Sequence, residues 1–258
     1  MGFAMLDRST VSPRPGIRFD AGRHARARLG FVLLAMEQTI ESDMFRLAPP
    51  GVGLHFTRAA MANRVDVDTL AAMASGVADA AALLLPDEAL DVVCYACTSG
   101  SVVIGEDKLF AELRRGAPTA RPTSLITGVM RALEALNARR IVIATPYVDA
   151  VNAIERDYMR QRGFEILAIE GLGIENDADM VRVTPDYIFD FARSLDRPEA
   201  DAIFISCGAL RSVEIVEALE AETGKPVVVS NQAMLWDCLR LAGVHDRIEG
   251  YGRLFRDF

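Results

Sequence analysis

The sequence predicts an α/β protein built from two similar lobes, each a short parallel sheet flanked by helices, with the ligand site in the cleft between them. Short apolar runs alternate with longer amphipathic stretches from residue 29 onward. A strand and the cysteine that follows it recur at a constant spacing. The chain of 258 residues is 51% hydrophobic, which is enough to bury a core in both lobes.

The repeat is the strongest of these observations. Segments 91–97 and 201–207 each consist of an aspartate, a five-residue strand and a cysteine, and they align without a gap at an offset of 110 residues. At the same offset, 29–35 falls on 139–145. Short apolar runs also agree by chance, but two pairs of strands in one register favour two lobes related by a pseudo-twofold axis.

The elements follow from hydrophobic periodicity and turn residues. The predicted strands are 29–35, 52–57, 92–96, 141–145, 165–169, 202–206 and 227–230. The predicted helices are 67–84 after the candidate cap Asp66, 109–115, 127–136, 148–162 closed by Gly163, 185–194, 212–223 closed by Gly224, and 233–241 closed by Gly243.

These elements divide the chain into three parts. Residues 1–28 carry prolines, glycines and a basic cluster without a sustained period, and we expect a tail or an arm. Residues 29–125 form the predicted first lobe, which 231–258 is expected to complete. Residues 126–230 form the predicted second lobe.

Composition excludes several classes of partner. The 36 acidic and 28 basic side chains give a net charge of −8, which disfavours binding to nucleic acid. The longest apolar stretch, 71–85, is too short to span a membrane and contains Asp79, so no membrane association is expected. The first 28 residues lack the apolar core of an export signal. With four cysteines, too few for a disulfide scaffold, the sequence predicts a cytoplasmic protein with reduced thiols, and a homo-oligomer is compatible with it.

Motifs for cofactors and metals are missing from the sequence. The three histidines lack the spacing of a zinc site. No glycine-rich nucleotide loop follows a strand, and no G-x-S-x-G marks a serine hydrolase. The sequence therefore predicts no cofactor and no metal.

Two cysteines end equivalent strands of the repeat. Cys97 and Cys207 lie at the carboxyl ends of parallel strands, where ligands bind in open α/β sheets. Small residues follow each of them, Thr98 and Ser99 in the first case and Gly208 in the second, so backbone N–H groups can point at an anion. A lone cysteine in such a place is usually a core residue. Two at equivalent positions favour a reactive pair.

The other cysteines have less promising positions. Cys94 forms a C-x-x-C with Cys97, but residues three apart in a strand point to opposite faces, so thioredoxin-like redox chemistry is only a minor alternative. Cys238 lies within an amphipathic stretch and is predicted to pack in the core.

Four motifs together resemble a known family. They are Cys97-Thr-Ser, Cys207-Gly-Ala, the turn Ala144-Thr-Pro-Tyr147 and the C-terminal Gly250-Tyr-Gly-Arg-Leu-Phe255. Over 29–255 the chain resembles the aspartate/glutamate racemase superfamily, and within it the maleate isomerase and arylmalonate decarboxylase branch. The segment 34–41 is similar to racemase-like proteins associated with ectoine utilisation.

The resemblance implies an enzyme that uses two opposed cysteines on a small carboxylate without a cofactor. Racemases of this superfamily exchange an α-proton between two thiols, and maleate isomerases add a thiolate to a double bond. The decarboxylases have glycine in place of the first cysteine, so Cys97 favours racemisation or cis-trans isomerisation over decarboxylation by Cys207 alone. A protein that binds a small acid without turnover is the alternative from another class.

The same resemblance implies a set of substrate-binding residues. Thr98, Ser99, Tyr147 and the backbone at Gly208 would hold the carboxylate. Further candidates for the site are Thr145, Ser124 and Asn176, the last of which is similar to an asparagine that maleate isomerases place near the substrate.

Glu37 departs from the family pattern, because maleate isomerases have asparagine at this strand end. An ionised carboxylate would repel a dicarboxylate and suit an ammonium or amide group, although a solvated surface glutamate explains it equally well. A free thiol is only about 3% ionised at neutral pH, so we also expect N–H groups to lower the pKa of Cys97 and Cys207.

Overall fold

The computed structural model describes residues 16–61 and 67–258, so Asp66 and most of the predicted tail lie outside the described residues. Two four-stranded parallel sheets have the strand orders β2-β1-β3-β4 and β6-β5-β7-β8. The strands are β1 (Ala27–Leu34), β2 (Val52–Ala59), β3 (Val92–Tyr95), β4 (Arg121–Ser124), β5 (Arg140–Thr145), β6 (Glu165–Gly171), β7 (Ala202–Ile205) and β8 (Val227–Val229). The predicted fold class is confirmed.

Helices flank both sheets. They are α1 (Ile40–Leu47), α2 (Val67–Ala72), α3 (Val77–Ala81), α4 (Thr98–Ile104), α5 (Glu106–Gly116), α6 (Leu125–Ala135), α7 (Asp149–Gln161), α8 (Asp177–Met180), α9 (Pro185–Ser194), α10 (Val216–Thr223), α11 (Ser230–Leu241) and α12 (Gly252–Asp257), with 3₁₀ turns at Met73–Gly76 and Val213–Ile215. Every residue of β3, β7 and β8 is buried, as expected for parallel strands covered on both faces. None of the described helices is long and apolar enough to cross a membrane.

The sequence repeat corresponds to equivalent strands in the two sheets. β3 and β7 occupy the same place in the two strand orders, next to β1 and β5. The repeated aspartates have the same role at the start of these strands: the Asp91 carboxylate accepts the Arg28 N–H at 2.8 Å, and the Asp201 carboxylate accepts the Arg140 N–H at 2.8 Å. Each aspartate therefore ties two neighbouring strands together where they begin.

The predicted helix over 67–84 is divided in the structure. α2 is followed by a 3₁₀ turn, and α3 begins only at Val77. The Ser75 hydroxyl donates to the Ala72 carbonyl at 3.0 Å, which competes with the regular helical pattern. Gly76 then precedes α3 as its N-cap. The apolar periodicity runs through this break and did not reveal it.

Three elements near the strand ends were not predicted. β4 is an edge strand, where Pro122 is tolerated because its missing N–H faces away from the sheet. α4 begins directly after Cys97 and α1 shortly after Glu37. α4 starts with Thr98 and Ser99, and Thr39 precedes α1, and such residues are typical of turns as well as of helix starts.

The described part of residues 1–28 is mostly exposed until β1 begins at Ala27. The Arg26 guanidinium pairs with Asp246 and donates to the Pro50 carbonyl at 3.1 Å. These contacts connect the segment before β1 to the loop between α11 and α12.

Candidate active site

A cavity lies between the two sheets, beyond the carboxyl ends of β1, β3, β5 and β7. It is lined by Leu34, Glu37, Leu70, Ala96, Cys97, Thr98, Ser99, Tyr147, Asp177, Cys207, Gly208 and Ala209. Both halves of the chain contribute to the lining, so Cys97 and Cys207, which lie 110 residues apart in sequence, face one cavity. Its free volume is about 20 Å³, enough for roughly one water molecule.

Cys97 lies at the start of α4. It is the N-cap residue, and its Sγ accepts the backbone N–H of Gly100 at 3.2 Å. The Ser99 hydroxyl lies 3.8 Å from the same sulfur. Burial raises the pKa of the Cys97 thiol to about 12, although these two hydrogen bonds oppose the shift.

Cys207 has a different backbone conformation but a similar hydrogen bond. Its φ of 101° lies in a region that non-glycine residues rarely adopt, which is a form of strain often found at functional sites. Its Sγ accepts the backbone N–H of Ala209 at 3.4 Å. Burial raises the pKa of Cys207 well above its ordinary value, while Tyr147 and Ala209 lower it in part through hydrogen bonds.

The predicted N–H groups do lower both thiol pKa values, but not by enough to bring them below the ordinary range. The hydrogen bonds exist, but the loss of hydration is the larger effect at both sulfurs. The carboxyl groups of Glu37 and Asp177 add to it, because negative charge nearby disfavours a second anion.

Ser230, at the start of α11, connects the two cysteine loops. Its hydroxyl accepts the backbone N–H of Cys207 at 3.0 Å and lies 3.2 Å from the Thr98 hydroxyl. The next residue, Asn231, donates to the Gly208 carbonyl at 2.8 Å and to the Asp43 carboxylate at 2.7 Å. One helix end therefore positions the residues that follow both thiols. The sequence predicts Ser230 only as the last residue of the strand 227–230, and no local pattern indicates its contacts with the loops that follow Cys97 and Cys207.

Two carboxyl groups face the cavity. Glu37 is buried, and one of its oxygens accepts the backbone N–H groups of Thr39 and Ile40 at the start of α1. Asp177, the first residue of α8, is also buried, and its Oδ2 has no hydrogen-bond partner among the described residues. Burial raises the pKa of both groups. α8 packs against the second cysteine, because Met180 Sδ lies 4.0 Å from Cys207 Sγ.

Thr98, Ser99, Tyr147, Gly208 and Glu37 line the cavity together with the cysteines, whereas three other predicted residues do not. Asn176 is exposed and donates to Asp179, so the neighbouring Asp177 takes the place predicted for it. The Ser124 hydroxyl caps α6 by accepting the Thr127 N–H at 3.3 Å. The Thr145 hydroxyl donates to Asn152 at 2.6 Å and accepts the Tyr147 N–H at 3.1 Å. Thr145 thus holds the turn that presents Tyr147.

The other cysteines lie away from the cavity. Cys94 is buried and its thiol donates to the Tyr95 carbonyl at 3.7 Å, Cys238 is also buried, and both are free thiols. Cys94 and Cys97 therefore have different surroundings, although they share a C-x-x-C motif. The described residues include no group of three or more His, Cys, Asp or Glu side chains that could hold a metal ion.

Gly171→Ala should displace the turn that carries Tyr147. A Cβ at this position would lie 2.0 Å from the Tyr147 carbonyl oxygen, which is backbone and cannot rotate away. We expect a loss of roughly 1–3 kcal/mol in the free energy of unfolding, measured by denaturant titration. The matched control is Gly76→Ala, where a Cβ meets no atom within 4 Å and φ is −98°. Equal stability of the two variants would contradict the close approach.

Comparison with known proteins agrees with this geometry. The family model of arylmalonate decarboxylase matches residues 51–255. Maleate isomerase from Nocardia farcinica is 30% identical over 241 residues, which cover 89% of this chain and 95% of the relative. Arylmalonate decarboxylase from Bordetella bronchiseptica is 35% identical over 136 residues, which cover 52% of this chain and 57% of the relative.

A solved structure has the same fold. A cysteine-to-serine mutant of the Nocardia farcinica maleate cis-trans isomerase, with a covalently bound succinylcysteine intermediate, superposes with a TM-score of 0.82 at 25% identity. The match covers 90% of this chain and 99% of that one. The chain therefore belongs to the arylmalonate decarboxylase family, in the branch with the maleate isomerases that its cysteine motifs resemble.

Proposed function

We propose that this protein is a cofactor-independent isomerase of a small carboxylate, in which Cys97 and Cys207 act from opposite sides of the substrate. The observation that supports this most directly is that both thiols line one cavity and each accepts a backbone N–H. A base that removes a proton from one face and an acid that returns it to the other need this arrangement.

Two isomerisations use the same pair of thiols. In racemisation, one thiolate forms an S–H bond as the α C–H bond breaks, the electron pair moves into the carboxylate, and the opposite thiol donates a proton to the other face. In cis-trans isomerisation, one thiolate forms an S–C bond as the C=C π bond opens, and the electron pair moves into the adjacent carboxylate, where the opposite thiol can donate a hydrogen bond. The remaining single bond rotates, and the electron pair returns to restore the double bond as the S–C bond breaks and the thiolate leaves. The succinylcysteine in the Nocardia farcinica enzyme is an S–C adduct in that protein.

The polar residues around the cavity have supporting roles in this proposal. Thr98, Ser99 and Tyr147 offer hydroxyl groups to the carboxylate, and Gly208 leaves space for it. Leu34 and Leu70 line the same cavity and would pack against the apolar part of a small carboxylate. Binding would then expel water and strengthen the electrostatic interactions inside.

Decarboxylation is the second candidate, and the family match supports it. It requires one thiol, Cys207, to protonate the enediolate that remains after carbon dioxide leaves. The presence of a second buried thiol at Cys97 favours isomerisation, because a decarboxylase has no step that needs it.

One experiment separates these reactions: incubation with a panel of small carboxylates in deuterated water. A racemase exchanges the α-hydrogen for deuterium and scrambles the stereocentre. A cis-trans isomerase changes double-bond geometry without an obligatory label, because no C–H bond has to break. A decarboxylase releases carbon dioxide and incorporates one deuterium. We expect one of the first two results, and carbon dioxide release from a malonate that does not depend on Cys97 would contradict the proposal.

A further inference from the structure

Asp177 presents an unsatisfied polar atom to the cavity. The side chain is 6% exposed, and Oδ2 has no hydrogen-bond partner among the described residues. A buried carboxyl oxygen without a hydrogen-bond partner destabilises the folded protein, and packing alone gives no reason for such an oxygen at this position. A donor group on a molecule that enters the cavity would supply the missing partner.

Glu37 brings a second carboxyl group to the same space. Its oxygen is anchored by two N–H groups of α1, so the group is held in place at the cavity wall. Of the residues that line the cavity in the described part of the chain, none is basic. Arg58 touches Glu37 only at its backbone carbonyl and pairs its guanidinium with Glu41 at 2.7 Å. The two carboxyl groups thus face the ligand without a cation of their own.

We propose that Asp177, together with Glu37, binds an ammonium group of the substrate, so that the substrate is a small amino acid or another amine-bearing carboxylate and not a simple dicarboxylate. This inference rests on the proposed function, since it concerns the cavity that holds both thiols. An ammonium group has three donors and no acceptor, which matches two carboxyl groups that can accept hydrogen bonds from it. Charge-assisted hydrogen bonds of this kind are stronger than neutral ones.

The charges around the cavity favour the same class of substrate. A dicarboxylate would add two negative groups to a space that already holds two carboxyl groups and two thiols. An amino acid brings one positive charge for its carboxylate. That positive charge would also favour the thiolate forms of Cys97 and Cys207, which the two carboxyl groups disfavour.

Equilibrium binding to a variant without the two thiols tests the inference. Calorimetry on Cys97→Ser/Cys207→Ser would compare 2-aminobutyrate with butyrate, and aspartate with succinate, pairs that differ only in the ammonium group. We expect the ammonium-bearing member of a pair to bind roughly 10- to 100-fold more tightly, as for a hydrogen bond to a charged group.

Matched variants locate the effect. Adding Asp177→Asn should reduce the affinity ratio within each pair to about 1 while butyrate still binds. Asp179→Asn removes the same charge from the exposed side of α8 and should leave the ratio unchanged. If the Asp177→Asn variant binds neither member of a pair, the same titrations are made on the Glu37→Gln variant. An affinity ratio that Glu37→Gln leaves unchanged would then overturn the proposal.

The other possible results distinguish failure of the ammonium site from failure of the two-thiol isomerase. Equal or tighter binding of butyrate and succinate, or no binding of either amino acid, overturns the ammonium site. Turnover of maleate by the wild-type protein without a preference for amino acids would also overturn the ammonium site, but it would support the two-thiol isomerase. Tight ammonium-dependent binding without turnover of any carboxylate would remove the isomerase and leave the ammonium site.

Discussion

Cys97→Ser and Cys207→Ser are each expected to lower turnover by roughly 10²- to 10⁴-fold, the usual contribution of a positioned acid or base. A hydroxyl ionises far less readily than a thiol, so serine can neither take nor return the proton at a useful rate. In the proposed mechanism each thiol serves one face of the substrate, so the remaining cysteine would not compensate. Steady-state rates on the best carboxylate of the deuterium panel measure the effect.

Cys94→Ser and Cys238→Ser are the matched controls. Both thiols are buried, and neither lines the cavity. Placing a hydroxyl there should cost about 1–3 kcal/mol of stability but leave the rate per folded molecule unchanged. Undiminished turnover in Cys97→Ser or in Cys207→Ser would remove the two-thiol mechanism. Loss confined to Cys207→Ser would favour the decarboxylase.

Glu155→Gln is expected to make the protein more stable than the wild type in alkaline solution. Glu155 lies on α7 and is fully buried, and neither carboxyl oxygen has a hydrogen-bond partner among the described residues. Burial raises its pKa from 4.5 to about 7, and the Ser206 hydroxyl offsets only part of that shift. Ser206 directly precedes Cys207, so the carboxyl lies behind one side of the candidate site.

The direction of the stability change with pH follows from proton binding by the Glu155 carboxyl. A carboxyl with a raised pKa holds its proton more tightly in the folded state, so its contribution to stability is complete below pH 4.5 and is lost as the pH rises through about 7. The amide cannot ionise. The difference between variant and wild type should therefore be small near pH 5 and reach roughly 3 kcal/mol in favour of the variant near pH 8.

Denaturant unfolding at the two pH values provides the measurement. The exposed Glu170→Gln on β6 is the control for the chemical change, and we expect it to follow the wild type. A Glu155→Gln variant that is less stable than the wild type near pH 8 would show that the ionised carboxylate is stabilised, in conflict with its unpartnered position.

The fold was predictable because its information is local and periodic. Seven of the strands coincide with short apolar runs in the sequence, and the 110-residue offset between Cys97 and Cys207 relates two of them across the molecule. β4 was not predicted because an edge strand that contains Pro122 has neither the length nor the composition of a buried strand. The division of the predicted helix 67–84 was not predicted because a helix, a 3₁₀ turn and a second helix share one apolar periodicity.

Within the candidate site, the positions predicted directly after strands lie closest to their expected places. Cys97, Thr98, Cys207 and Gly208 follow β3 and β7, and the carboxyl ends of parallel strands necessarily meet at one edge of a sheet. Residues on loops were less predictable. Whether Asn176 or Asp177 faces the cavity depends on where α8 begins, and a shift of one residue exchanges the two.

The two-sheet architecture, the family and the cysteine at each of two equivalent strand ends follow from the amino-acid sequence. It takes the folded structure to show that Asp177 and Glu37 share a cavity with those thiols, that Ser230 joins their loops, and that burial raises the thiol pKa values. Hydrophobic periodicity indicates which side chains are buried. Desolvation and charge–charge interactions depend instead on which buried groups become neighbours, and that is settled only when distant segments pack together.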